Sequence, residues 1–156
     1  MKFNVVAVGK IKEGYFKDAL SEYQKRTSRF ANLQFTEVEE CVFNGIPNQA
    51  QIQKILAEEG KNILRKAEGA VVALDIDGAQ VDSVGLSNLM EKISQTCSTI
   101  TFVIGGSHGL SDEVKQRADY RISFGKITLP HQLCRVVLAE QLYRACTIKN
   151  NVPYHK

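Results

Sequence analysis

The sequence predicts an α/β protein, a largely parallel sheet flanked by helices, in one domain spanning residues 1–156. Three observations carry that reading. Short apolar runs alternate with longer segments whose apolar residues recur every three or four positions, the pattern of strands alternating with helices. Ala70–Ile76 (AVVALDI) and Thr99–Ile104 (TITFVI) are apolar almost throughout, as strands covered on both faces are. Two of the runs open into glycine loops: Thr99–Ile104 into Gly105-Gly106, and Tyr120–Phe124 into Gly125 and then Lys126–Pro130. Proteins of this class hold ligands outside the carboxyl ends of their strands. Both loops are therefore expected to hold one small cofactor, with the helix after Pro130 forming part of the wall.

Taken in order, Lys2–Val8 reads as a first strand ending at Gly9. Tyr15–Phe30 reads as a helix, with Phe16, Ala19, Leu20, Tyr23 and Thr27 on one face. Leu33–Val38 alternates apolar and polar, which suits a half-exposed strand near an edge. Asn44–Asn48 (NGIPN) is a loop by its turn residues. Ala50–Ala67 is a second amphipathic helix, and Gly60 within it is expected to mark a close approach to the sheet. After strand Ala70–Ile76, Asp77-Gly78 reads as the turn, and Asp75 and Asp77 as turn formers rather than a catalytic pair. Ser83 or Ser87 is expected to cap a helix reaching about Gln95. Asp112–Ala118 is a short helix with its acidic residues in the favourable first turn. Tyr120–Phe124 is a strand and His131–Lys149 the last helix. That helix is apolar around most of its circumference, so it is expected to be buried on more than one side. A second copy of the chain is the expected partner; a central position within a monomer is the alternative. Glu140 and Arg144 are spaced to pair on its polar strip.

Composition narrows the class. Twenty Lys and Arg against seventeen Asp and Glu give a net charge of +3, which permits a nucleic-acid partner without requiring one. Met1–Lys10 lacks the long apolar region of a signal peptide, and no window approaches the ~20 apolar residues of a membrane span. The four cysteines, Cys41, Cys97, Cys134 and Cys146, form no C-x-x-C pair. Cys134 and Cys146 lie about 18 Å apart along one helix at ~1.5 Å per residue, too far for a bridge. Four buried thiols in a reducing, cytoplasmic setting are expected. His108, His131 and His155 are too scattered to suggest a metal, and none is expected.

Two motifs compete with the cofactor reading. Gly9–Gly14 has the glycine spacing of a P-loop, but Tyr15 and Phe16 stand where Lys and Ser/Thr must follow. Gly105-Gly106-Ser107-His108-Gly109 fits G-x-S-x-G, the nucleophile elbow of serine hydrolases, between a strand and a helix. Asp112 or Asp119 with His131 or His155 would complete a triad with Ser107. Against it, the chain is short for a hydrolase sheet and has no separate oxyanion loop.

The combination of FVIGGSHGLS, SFGKITLPHQLCRVVLAEQLYRA and a terminal Pro-Tyr-His-Lys, together with AVGKIKEGYFKDALSEYQKR and ALDIDG, resembles the RlmH family of SPOUT-class methyltransferases over essentially the whole chain. The resemblance implies a parallel sheet whose C-terminal segment is threaded into a trefoil knot. It implies S-adenosylmethionine as cofactor, held by Leu74, Gly105 and the run Phe124, Gly125, Lys126, Ile127, Thr128 and Leu129. It implies a homodimer with the site near the interface, acting at N3 of a pseudouridine in helix 69 of 23S rRNA in the assembled ribosome. His155 and Tyr154 in the tail are the candidates for orienting the base or handling its proton, and Arg135 for holding a phosphate or base carbonyl. A ribosome-binding protein without catalysis is the non-enzyme alternative. With so few basic residues, binding to naked RNA is expected to be weak and a whole ribosome preferred.

Overall fold

Ten elements alternate along the chain in the computed structural model, which describes residues 1–156. They are β1 (Lys2–Val8), α1 (Gly14–Thr27), β2 (Asn32–Val38), α2 (Gln49–Lys66), β3 (Ala70–Gln80), α3 (Ser83–Ser94), β4 (Thr99–Ile104), α4 (Asp112–Arg117), β5 (Tyr120–Ser123) and α5 (His131–Lys149). The five strands form one sheet in the order β2-β1-β4-β3-β5, and every pairing is parallel. All strands therefore end at one rim, where the loops after β1, β3, β4 and β5 meet.

Strand alternation divides the core into two layers. Phe3, Val5, Ala7, Ile100, Phe102 and Val72 face α1, α3 and α5 in the larger cluster. Val6, Val8, Val71, Ala73 and Val103 face α2 and α4 in the smaller one. The edge position of β2 matches its half-exposed pattern, with Gln34 and Glu37 outward and Leu33 and Val38 buried. The helix α2 starts at Asn48 with a reciprocal cap: Asn48 accepts from the Gln51 N–H, and Gln51 accepts from the Asn48 N–H at 2.8 Å.

Three local expectations are corrected. Asp77-Gly78 is not a turn; β3 continues to Gln80, and Leu74 and Ala79 both register with Ile122. Residues 75–78 thus form a bulge, which gives Asp-Gly the irregular backbone that the sequence suggests without ending the strand. A Cβ at Gly78 would lie only 2.7 Å from the backbone of Arg121 and Ile122, so glycine is required for that approach. The cap of α3 is Asp82, whose carboxylate accepts the Gly85 N–H at 2.6 Å, rather than Ser83 or Ser87. Gly60 approaches a helix and not the sheet: a Cβ there would run into Ser111 and Val114 at the start of α4.

The last helix has two flanking partners within the chain. α5 packs between α1 and α3, over β4. Leu138, Ala139, Leu142 and Ala145 are buried, the Ser87 hydroxyl donates to the Ala145 carbonyl, and the Ser83 hydroxyl donates to Gln141 at 2.6 Å. Much of its apolar circumference is used in this way. All four cysteines are free thiols, but only Cys146 is buried; Cys41, Cys97 and Cys134 are half-buried, contrary to the expectation of four buried thiols. No helix is long and apolar enough to cross a membrane.

Candidate cofactor-binding site

A cavity of about 740 Å³ opens at the rim between β3, β4 and β5, within the size range of small-molecule sites. Three pieces of backbone form its walls: Leu74–Asp77 from the β3 bulge, Ile104–Leu110 after β4, and Ile122–Gly125 with Ile127–His131 after β5. Cys134 from the first turn of α5 closes one side. The structure thus places on one cavity Leu74, Gly105, Phe124, Gly125, Ile127, Thr128 and Leu129, residues that the family resemblance implies for the cofactor. Lys126 is the exception; it is exposed and does not line the cavity.

Backbone economy shapes the walls. A Cβ at Gly105 would collide with the backbone of Gly109, because the loop doubles back and Gly106 and Gly109 pair as a bridge. Gly109 has φ +85° and Gly125 φ +122°, conformations in the left-handed region that glycine adopts without penalty. The Ser123 hydroxyl accepts the Gly125 N–H at 3.1 Å and donates to the Gly125 carbonyl at 3.0 Å, locking the turn that leaves β5.

One wall is charged, and composition alone did not reveal it. Asp75 is buried, accepts the Asp77 N–H at 3.2 Å, and bonds to Arg121 at 2.8 Å and 3.0 Å. Lys115 lies 3.6 Å away. Burial alone would raise the Asp75 carboxyl; the Asp77 N–H, Arg121 and Lys115 together outweigh it and hold the carboxyl below its usual range. Asp75 is therefore more than a turn former. The Cys134 thiol is pushed up to about 11 by burial, with Arg135 opposing, so it stays neutral at physiological pH.

Behind the β4 loop, Glu59 of α2 is buried and accepts the Cys41 N–H at 3.1 Å. Burial raises its carboxyl above the ordinary range, against the pull of that N–H. Glu40 accepts the Ser107 hydroxyl at 3.2 Å. No hydrogen bond joins Ser107 to a histidine or to Asp112 or Asp119, and its hydroxyl is engaged by Glu40 instead, so no Ser-His-Asp triad is assembled at the elbow.

The expected catalytic residues lie apart from this cavity. Arg135 is buried, and one terminal nitrogen donates to the Val8 carbonyl at 2.6 Å and the Gly9 carbonyl at 2.8 Å. Its other terminal nitrogen is 3.5 Å from Glu37. It holds the end of β1 against α5; its Nε–H has no partner but is itself buried, so the guanidinium presents no accessible fork to a phosphate. Tyr154 and His155 also lie off the cavity. The Tyr154 hydroxyl donates to Glu140 at 3.1 Å, and its ring lies 4.6 Å under the Arg144 guanidinium and 4.8 Å from Tyr143. Arg144 also bonds Glu140 and approaches His155 Nδ1 at 3.4 Å. Burial and the bond to Glu140 raise the Tyr154 hydroxyl, so it remains protonated as a donor.

A parallel α/β sheet with a cavity walled by three strand-end loops is the arrangement of α/β proteins whose ligand sites lie outside the carboxyl ends of their strands. The comparisons place it more closely. The family described as "Predicted SPOUT methyltransferase" matches residues 1–155, and the chain belongs to that family. Ribosomal RNA large subunit methyltransferase H of Leuconostoc citreum is 48% identical over 159 residues, covering 100% of both chains. The protein of that name from Streptococcus agalactiae is 48% identical over 162 residues with the same full coverage. Among solved structures, a probable methylase family protein from Haemophilus influenzae aligns over 99% of this chain and 70% of its own, with TM-score 0.57 and 15% identity. A putative methylase family protein from Neisseria gonorrhoeae covers 90% of this chain and 81% of its own, with TM-score 0.51 and 11% identity. At those identities the two structures speak for the fold alone.

Proposed function

We propose that this chain transfers a methyl group from S-adenosylmethionine to N3 of a pseudouridine in helix 69 of 23S rRNA, in the assembled ribosome, as a homodimer. The observation that carries the proposal is the full-length 48% identity to proteins named ribosomal RNA large subunit methyltransferase H. The cavity fits the cofactor. Its apolar faces from Leu74, Phe124, Ile127 and Leu129 suit an adenine, and Gly105 and Gly125 let main chain come close. Asp77 adds a carboxylate that enters no ion pair on the wall facing a cationic ligand.

When bound, the cofactor supplies an electrophilic methyl group. This chain's share of the work is alignment, which supplies most of the rate in an in-line displacement. The walls after β3, β4 and β5 fix one reactant; Cys134, a neutral thiol, stays out of the chemistry. The tail contributes from the other subunit. Tyr154 and His155 are held on α5 by Glu140 and Arg144, away from their own cavity. A second copy placed on the apolar edge of exposed Ile127 and Leu133 would bring them to the target base. The whole of residues 1–156 acts as one domain in this reading, with the C-terminal segment threaded as a knot.

The test is tritiated methyl transfer to ribosomes from a strain lacking this protein, followed by mapping of the labelled base. Deleting Tyr154–Lys156 is expected to abolish methylation while leaving cofactor affinity unchanged. Full activity in the truncated protein refutes the role of the tail.

A further inference from the structure

Outside the cofactor site, charge is not evenly spread. Residues 9–29 hold six basic side chains (Lys10, Lys12, Lys17, Lys25, Arg26 and Arg29) against three acidic ones (Glu13, Asp18 and Glu22). That surplus of three equals the net charge of the whole chain; the remaining fourteen basic and fourteen acidic residues cancel. Lys10, Lys12 and Lys17 are all exposed, and none of them enters an ion pair.

The same segment carries an exposed aromatic and a second cavity. Tyr15 is 68% exposed, its ring 4.6 Å from that of Phe16. A groove of about 420 Å³ runs between the loop after β1, the outer face of α1 and the edge strand β2. Lys10, Lys17, Ser21 and Gln24 line it with the half-buried ring of Phe35, and so does Glu37, whose carboxylate is exposed but engaged by Arg135 at 3.5 Å and by the Ile11 N–H at 2.9 Å. Gly9, where this loop leaves the sheet, adjoins the cofactor cavity: a Cβ there would lie 3.6 Å from His131 Nε2, and His131 lines that cavity.

Unpaired lysines around an exposed ring and a narrow groove are the chemistry that binds unstacked nucleotides: phosphates on the ammonium groups, a base face on the aromatic. We infer that Lys10, Lys12, Tyr15 and Lys17 form a docking surface for a single-stranded loop of the substrate RNA, beside the nucleotide presented to the cofactor. This deepens the proposed rRNA methylation and rests on it. Charge complementarity selects RNA over a protein partner here, because the surplus is wholly basic and the ring stands among it.

The test uses the full-length protein and ribosomes from a strain lacking it. The triple variant Lys10→Glu, Lys12→Glu, Lys17→Glu is expected to raise the KM for ribosomes at least tenfold, with kcat, S-adenosylmethionine affinity and Tm unchanged. Its log KM should depend less steeply on log salt, by about 2 units for three phosphates at ~0.7 each. Tyr15→Ala is expected to raise KM severalfold with the salt slope intact. The reversal Lys54→Glu, Lys61→Glu, Lys66→Glu on α2, three exposed lysines outside any ion pair, serves as the charge-matched control and should leave KM unchanged. An unchanged KM in the triple variant, or an equal rise in the control, overturns the assignment. A raised KM with an unaltered salt slope overturns it in favour of a protein contact. If the wild-type chain itself transfers no methyl group to ribosomes, the proposed function fails first, and the docking surface falls with it.

Discussion

Replacing Gly105 by Ala puts one methyl group where the structure has no room for it. The added Cβ meets the carbonyl oxygen, carbonyl carbon and Cα of Gly109. These are backbone atoms, held by the Gly106–Gly109 bridge, so no side chain can rotate away. Relief requires the whole loop to shift, and overpacking of this kind costs about 1–3 kcal/mol. The loop is one of three walls of the cavity proposed to hold the cofactor, so in that reading the displacement falls on the bound molecule. At 1.4 kcal/mol per tenfold, the affinity for S-adenosylmethionine is expected to fall about 5- to 150-fold. Titration calorimetry on the purified variant reads this directly. Gly14→Ala serves as the control, because a Cβ there meets nothing within 4 Å and its cofactor affinity should match wild type. Wild-type affinity in Gly105→Ala would show that this loop does not touch the cofactor and would refute the reasoning.

The Asp75 carboxyl is held below its ordinary pKa in the folded chain. Its stabilising contribution is thus complete above the unfolded value and lost as pH falls through the depressed one. Asp75→Asn should lower stability at neutral pH by about 1–2 kcal/mol, since Arg121 is partly solvated, and flatten the decline in Tm below about pH 4; an unchanged acid profile would count against the ion pair. Arg135→Met removes the donor shared by the Val8 and Gly9 carbonyls. It should cost about 2–4 kcal/mol, read as a Tm drop of roughly 5–12 °C at this chain length, and an unaltered Tm would show that the carbonyls find other donors. Cys134 faces the cavity as a thiol pushed up to about 11; iodoacetamide at pH 8 should label it far more slowly than a free thiol, and preferential labelling of Cys134 would contradict that environment.

Much of the fold is legible in the chain because the sheet is buried on both faces. Lys2–Val8 and Thr99–Ile104 have the same limits in the sequence reading and in the structure, since continuous apolar runs admit little else between polar ends. The failures fall where tertiary contact decides. Asp77-Gly78 carries turn chemistry, and only the closeness of β5 converts it into a bulge. Asp82 outcompetes two serines as a cap because it stands one residue before the first turn. The cavity residues are readable as glycine loops at strand ends. The ion pairs around Asp75 are not, because Arg121 and Lys115 lie 46 and 40 positions away in the chain. Arg135 reads equally well as a phosphate ligand or a brace, and only its burial against Val8 and Gly9 selects the brace.

By itself the sequence determined the alternation of strands and helices, the parallel class of the sheet and the glycine turns at its rim. These follow from periodicity and local backbone freedom, which act over a few residues. Only the tertiary structure decided the strand order, the bulge and ion pairs that shape the β3 wall of the cavity, and the commitment of Arg135 and Tyr154 to partners within the chain. Those depend on which distant segments share a neighbourhood once the apolar faces are buried, and hydrophobic patterning does not encode that pairing one residue at a time.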